Sequence, residues 1–322
     1  MKPTRWFQIH KALSPRERLV LGGLSFVLPI FLWCLVSYVP SVWHPQVLIS
    51  NPGSVDYLQP GMRMNKAAFD DEVADAAKEH KEPPEGTAAN PIYLPAPHEV
   101  ALALYTSFVT PPASQDGVWL HQSLWHSIQV IFWGFVISSV IGVPLGIVCG
   151  AYGVFARLNE PFVEFFRYLP APAFGALAVA ILGIYDGPKI AIIVIGTFFQ
   201  QVLIIANTTR KLDVALVEAA LTLGTKRLKL LSRVVIPGIL PDLYRDQRIL
   251  LGWAWTYLIV AELIGTTTGI TWFITQQARY QHFDNVYAAI IIIGIIGLGT
   301  DMVLAFLGRR LFPWDRSLAK TA

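Results

Sequence analysis

The chain has 322 residues, of which 54% are hydrophobic and 15% charged, with a formal net charge of +3. With a mean hydropathy of +0.49, it lies outside the range of water-soluble domains and describes a polytopic membrane protein. Its two cysteines, Cys34 and Cys149, fall inside apolar runs, so they give no basis for a disulfide framework or a metal cluster.

A helix needs about 20 apolar residues to cross the hydrocarbon core, because no backbone polar group can stay unpaired there. The first such run covers 19–39, after a basic leader over 1–18 that carries Lys2, Arg5, Lys11, Arg16 and Arg18. It is too long for the apolar part of a signal peptide and lacks a small-x-small cleavage site, so it reads as an anchor. Residues 40–117 then form a long excursion that opens with Pro40, Pro45, Pro52, Gly53, Pro60 and Gly61. Within it, Met64 to Glu82 reads as a short acidic helix around Phe69, Val73 and Ala77. After a second proline cluster, His98 to Phe108 reads as an amphipathic stretch. From Asp56 to Glu99 nine acids stand against four bases. That balance fits either a solvated, partly disordered excursion or a docking surface for an external partner.

A core over 118–312 follows, with apolar runs near 127–149, 169–185, 189–208, 249–265 and 286–308, then a tail over 313–322. The 169–185 run is the least regular, because Pro170, Pro172 and several small residues open it. The fold class is therefore all-α, with about six transmembrane helices. Six crossings leave both termini on one side, together with the 150–168 and 209–248 loops. That side holds nineteen of the 25 Lys and Arg residues; the other holds Arg63, Lys66, Lys78, Lys81, Lys189 and Arg279. The asymmetry assigns the termini and the 209–248 loop to the cytoplasm. Trp43, Trp119, Trp125 and Trp314, near the ends of the runs, read as interfacial anchors.

The cytoplasmic segment 212–241 carries the most specific signal. Asp213 is placed to cap a helix on which Leu212, Leu216, Ala219, Ala220 and Leu223 make one apolar stripe. Gly224 stands where the helix must stop or bend, since glycine reaches positive φ at no steric cost. Thr225 opens a second helix with Lys226, Arg227, Lys229 and Arg233 on one side and Leu228, Leu231 and Val235 on the other, ended by Pro237 and Pro241. The predicted shape is an L whose corner points into the cytoplasm. The order Glu218-Ala219-Ala220, three residues, Gly224, nine residues, Val234-Val235-Ile236-Pro237 resembles the EAA loop of ATP-binding-cassette importer permeases.

The resemblance continues along 19–39 and 94–315 and is to the nitrate/sulfonate/taurine type of binding-protein-dependent permease. It is carried by Leu94 to Pro97, Gly117 with Trp119, Ser123 to Ser127, Gly134-Phe135, Gly142, Gly146, Gly150, Pro161, Arg167 and Pro170. Ala261 to Gly265, Gly269-Ile270, Gly297, Asp301 and Pro313-Trp314 extend it. Residues 41–92 and the run Pro170 to Ala176 depart from the pattern. The resemblance implies a permease in the bacterial inner membrane, paired with a second copy as a homodimer. It also implies cytoplasmic ATPase subunits, an extracytoplasmic solute-binding protein and, as cargo, a small anion or polar organic anion such as nitrate, taurine or another sulfonate. Closure of the ATPases would move the two elbows together and rock the spans between inward- and outward-open states. Glu218, Ala219, Ala220, Gly224, Lys226, Arg227 and Pro237 would make the coupling contact.

Polar side chains inside spans are costly and often functional. Thr197, Gln200, Gln201 and Asn207 recur at helical spacing and, with Ser127 and Gln129, are candidates for a polar solute route. Their alternative role is hydrogen bonding between helices. Glu262 and Asp301, the intramembrane acids, read as structural, each holding helices together through a buried partner. Gly142 and Gly146 read as a close helix contact within the chain. The chain carries no G-x-x-x-x-G-K-[ST] phosphate loop, so it is not expected to hydrolyse ATP, and no cofactor or metal set is read from it. Its basic residues lack the aromatic interleaving suited to nucleic acid. Two other readings remain. One is a membrane scaffold or sensor with the acidic segment as its receptor; the other is an ion-coupled transporter, which lacks support from any inverted repeat.

Overall fold

The computed structural model describes residues 14–39, 42–111, 119–264 and 268–315, and for Arg227 the backbone alone. Lys2, Arg5, Lys11, Pro40, Gly117, Gly265 and the tail beyond 315 lie outside the described residues. The chain divides into two compact units, one of residues 1–105 with 281–288, the other of 106–280 with 289–322.

The first unit begins with α1 (Pro15–Tyr38). Ser14 caps it by accepting from the Glu17 amide, while the Glu17 carboxylate accepts from the Ser14 amide at 2.8 Å. This is a reciprocal capping box with Pro15 placed where its missing N–H costs nothing. Strands β1 (Gln46–Asn51), β2 (Arg63–Asn65) and β3 (Glu85–Ala89) form an antiparallel sheet in the order β2-β1-β3. Between β2 and β3 runs α2 (Lys66–Lys78), capped by Asn65, whose side chain accepts from the Ala67 amide. Alternation along β1 turns Val47 and Ile49 inward, against Leu58 and Phe69. The excursion is thus a small α+β layer over 46–89, where the sequence offered only a helix and proline-rich coil. Helix α3 (Pro97–Val109) places Val100 and Ala103 in a second core with Ala288, flanked by Trp33 and Tyr287.

The second unit holds α4 (Leu120–Ala151), α5 (Gly153–Arg167), a 3-10 turn (Ala171–Phe174), α6 (Gly175–Leu182), α7 (Asp186–Arg210) and α8 (Val214–Thr222). Helix α9 (Arg227–Leu230), a π-helical turn (Leu231–Val235), α10 (Ile236–Glu262), α11 (Ile270–Arg279) and α12 (Phe283–Leu311) complete the chain, the last beginning in the first unit's 281–288 segment. Among the described residues four helices, α1, α4, α7 and α12, are long and apolar enough to cross a membrane. The α5 and 171–182 pair passes the same test together although bent by 88°. The expected single span over 169–185 is therefore broken. Pro170 and Pro172 interrupt the ladder, and α6 alone, at 8 residues, is far shorter than the bilayer.

Close approach fixes the direction of the central pair. A Cβ on Gly134 would meet Ile193, on Gly142 Gln201, on Gly146 Ile205 and on Gly150 Thr209. The partner numbers rise together, so α4 and α7 are parallel, and the chain between them must return across the membrane through the bent α5–α6 pair. Helix α10 is antiparallel to α7: Gly238 abuts Leu212, Thr208 donates to Asp246, and Gly196 abuts Tyr257. At 27 residues it is about 40 Å long; the helix begins well before the apolar stretch expected to span at 249–265, and as a whole it does not pass the length and apolarity test that the other four do.

Replacing Gly146 with leucine would put a Cβ within 2.8 Å of the Val202 carbonyl oxygen, an overpacking expected to cost about 1–3 kcal/mol. Thermal unfolding in detergent should show a lower midpoint for Gly146→Leu than for Gly299→Leu, whose Cβ meets nothing within 4 Å. Equal midpoints would remove the close-approach role.

Candidate functional site

The 212–241 segment folds as an elbow. The Asp213 carboxylate accepts from the Ala215 amide at 2.9 Å and opens α8. At its end Gly224 takes φ 79°, its amide donates to the Leu221 carbonyl, and the Thr225 amide donates to the Ala220 carbonyl. This is the paired hydrogen-bond pattern of a left-handed helix terminus. Pro237 and Pro241 do not end the second helix. The chain runs from α9 through the π turn, where the Ile236 amide reaches back to Leu231, directly into α10. The wider turn takes up the strain of a proline that cannot donate, and Pro237 sits in the first turn of α10. The base of the elbow is anchored by a core of Ile147, Ile205 and Ile239 with Leu212, Leu231 and Ile236 around it. Its tip is bare: Leu223 is 86% and Leu228 79% exposed. Glu218, Ala219, Lys226 and Pro237 are also exposed, while Ala220 is buried.

The six candidate route residues do not share a wall. Gln201, fully buried, accepts from Ser138 at 2.7 Å and donates to Ser139 and to Gln247, tying α4, α7 and α10 together. Buried Thr197 donates back to Ile193 of its own helix. Gln200 is half-buried and Gln129 exposed. Ser127 belongs to a different cluster, and Asn207 lines a cleft beside α5.

That second cluster is a clasp between helix ends. Ser127 donates to the Glu262 carboxylate and accepts from the Ile270 amide at 2.8 Å, while Glu262 also accepts from the Thr271 amide at 2.8 Å. A carboxylate thus caps the start of α11, the end of a helix that favours negative charge. Gly269, at φ 106°, leaves room for it; a Cβ there would lie 2.2 Å from a Glu262 oxygen. Beside it Lys189, fully buried, donates to the Thr268 hydroxyl at 3.0 Å and carbonyl at 3.2 Å and pairs with Asp186, which also holds His126. The partners of Glu262 are buried. Asp301, its side chain 49% exposed, pairs with Arg248, 16% exposed, through two bonds of 3.0 and 2.9 Å that join α12 to α10. The sequence gives no sign that Lys189 is buried, because its partner Thr268 is remote in the chain.

A cleft of about 640 Å³ opens between α5 and the last turns of α7, lined by Arg157, Glu160, Glu164, Arg167, Asn207 and Arg210 among others. Arg210 pairs with Glu160, and Arg167 with Glu164 at 3.7 Å.

The clasp predicts a graded response. Glu262→Leu leaves the buried Thr271 amide and the Ser127 hydroxyl without an acceptor, a loss of about 1–3 kcal/mol, and Glu262→Gln should lose less. Hydrogen exchange at the Ile270 and Thr271 amides should rise in the order wild type, Gln, Leu. Unchanged protection would show that α11 is held by other means.

Comparison with known proteins fits this geometry. Residues 142–313 match the family model described as the binding-protein-dependent transport system inner membrane component. A Brucella abortus protein named as an ABC transporter permease is 31% identical over 71% of this chain and 89% of its own length. The taurine transport system permease protein TauC of Escherichia coli is 31% identical over 70% of this chain and 81% of that protein. The aliphatic sulfonates transport permease protein SsuC of Bacillus subtilis is 30% identical over 62% and 73%. A solved chain of the MetNI methionine ABC transporter, in an inward facing conformation, superposes with a TM-score of 0.54 at 19% identity, covering 64% of this chain and 99% of that one. The chain belongs to the family of binding-protein-dependent transport system inner membrane components.

Proposed function

We propose that this permease carries a small anion across the inner membrane and is driven by separate ATPase subunits that grip the elbow around Gly224. The observation that carries the reading is the rigid corner itself: a left-handed helix terminus flanked by Leu223 and Leu228, both more than three-quarters exposed. Two large apolar side chains held out on a stiff turn suit a groove on a protein partner. Glu218 and Lys226 stand beside them, free of ion partners among the described residues, and can add charged contacts at the rim.

The cargo class follows from kinship. Relatives named for taurine and aliphatic sulfonates handle small molecules with an anionic oxygen head. The assembly is read as two copies of this chain, two ATPases and an extracytoplasmic binding protein, with both termini in the cytoplasm as the Lys and Arg asymmetry favours. The binding protein would dock on the extracytoplasmic side, where the folded layer over 46–89 adds surface.

Gly224→Val tests the coupling. A Cβ at Gly224 meets nothing within 4 Å, so the cost is confined to the backbone, about 1–2 kcal/mol for a left-handed residue. The variant should insert and fold, yet solute-stimulated ATP hydrolysis by the purified complex should fall on the order of tenfold. Normal stimulation would contradict the coupling role of the corner.

A further inference from the structure

Helix α5 is two-faced in an unusual sense. Val154, Phe155, Leu158, Phe162 and Phe165 are exposed on one side, while Arg157, Glu160, Glu164 and Arg167 line the cleft on the other. The spacing of the polar set, i, i+3, i+7 and i+10, is one helical stripe. Val163, between the two faces, packs on Val202 and Leu203 of α7, and the charged stripe, with Arg157 and Glu164 exposed, borders an open space of about 640 Å³ beside α7, as membrane proteins place charges along a water-filled cavity.

The charges in this cleft do not balance. Arg210 is consumed by Glu160, Asn207 and the Cys149 carbonyl. Arg167 pairs with Glu164 and lies over the Tyr168 ring, whose hydroxyl it also meets at 3.0 Å. Arg157 has no hydrogen bond or ion pair to any described residue. Three guanidinium groups face two carboxylates, and the surplus is one planar, permanently charged fork that matches an oxyanion in two-point contact. The paired carboxylates also explain how an anion route tolerates acids on its wall: each is neutralised by its own arginine.

We infer that the α5–α7 cleft is a binding station for a small monoanionic oxyanion, such as a sulfonate or nitrate, with Arg157 as its anchoring group. The cleft is roomy enough for the anion with part of its hydration shell. A single unpaired cation at an open site holds the solute weakly enough for onward release, as conduction requires. The cleft lies at the α5 and α7 ends that the charge asymmetry assigns to the cytoplasm, so the station serves the exit side. This inference rests on the proposed reading of the chain as an anion importer.

The test is charge replacement in the full importer, reconstituted with its ATPase and binding protein in liposomes and supplied with labelled taurine, methanesulfonate and nitrate in turn. Arg157→Cys should lower the uptake rate of the transported anion by about tenfold while the ATPase remains bound. Attaching an aminoethyl group to the new thiol with a methanethiosulfonate reagent should restore most of the rate, and attaching a neutral methyl group should not. Wild-type importer given both reagents controls for Cys34 and Cys149. Uptake unchanged in Arg157→Cys, or equal recovery with both reagents, overturns the station and leaves the importer reading intact. Failure of the wild type to move any of the three anions overturns both.

Discussion

Two helices can lie side by side at backbone contact only where one of them offers no side chain. Along α4, Gly134, Gly142, Gly146 and Gly150 leave that gap, and Ile193, Gln201, Ile205 and Thr209 of α7 fill it in matching steps. Because the two helices run in the same direction, the segment between them is obliged to come back, and the bent α5–α6 pair is the consequence. The same seam presents Gln201 to Ser138, Ser139 and Gln247, so α10 is fixed by hydrogen bonds that exist only at this separation. Buried amides joined in this way are costly to break, since each lost partner leaves a polar atom away from water.

On this frame the chain separates two tasks. Its elbow is a stiff apolar protrusion with little of its own surface covered, which suits gripping by something else. At the other end of the helices, the clasp turns the Glu262 carboxylate and the Lys189 ammonium to partners inside the chain, holding the segment that leads into α11. The cleft beside α5 is neither. It has walls of alternating sign and an arginine left over, and it opens to solvent.

Much of this was legible from residue order. The elbow, its capping aspartate and its left-handed glycine follow from local chemistry, and α2 and α3 follow from periodicity. The α+β layer did not, because β3 reads Glu85 to Ala89 with no β-branched residue except Thr87. Gly86 is there for contact: a Cβ would strike Val47 at 2.4 Å, a reason invisible in one strand alone. Pro237 and Pro241 misled in the other direction, since an upstream π turn lets the helix absorb them. On α7 the helical period was right, but adjacent Gln200 and Gln201 point about 100° apart. Only packing against Gln247 decides which of them is locked away. Lys189 hid for a similar reason, its partner Thr268 being 79 positions distant.

The continuity of α10 has a mechanical result. Because the π turn joins it to the elbow without a joint, and Glu262 ends it at the clasp, one uninterrupted rod connects the exposed tip with the latch on α11. Pushing on the lower end of such a lever cannot leave the upper end at rest. On the proposed function, a stroke delivered at the elbow would reach the Ser127 and Thr271 bonds along this rod.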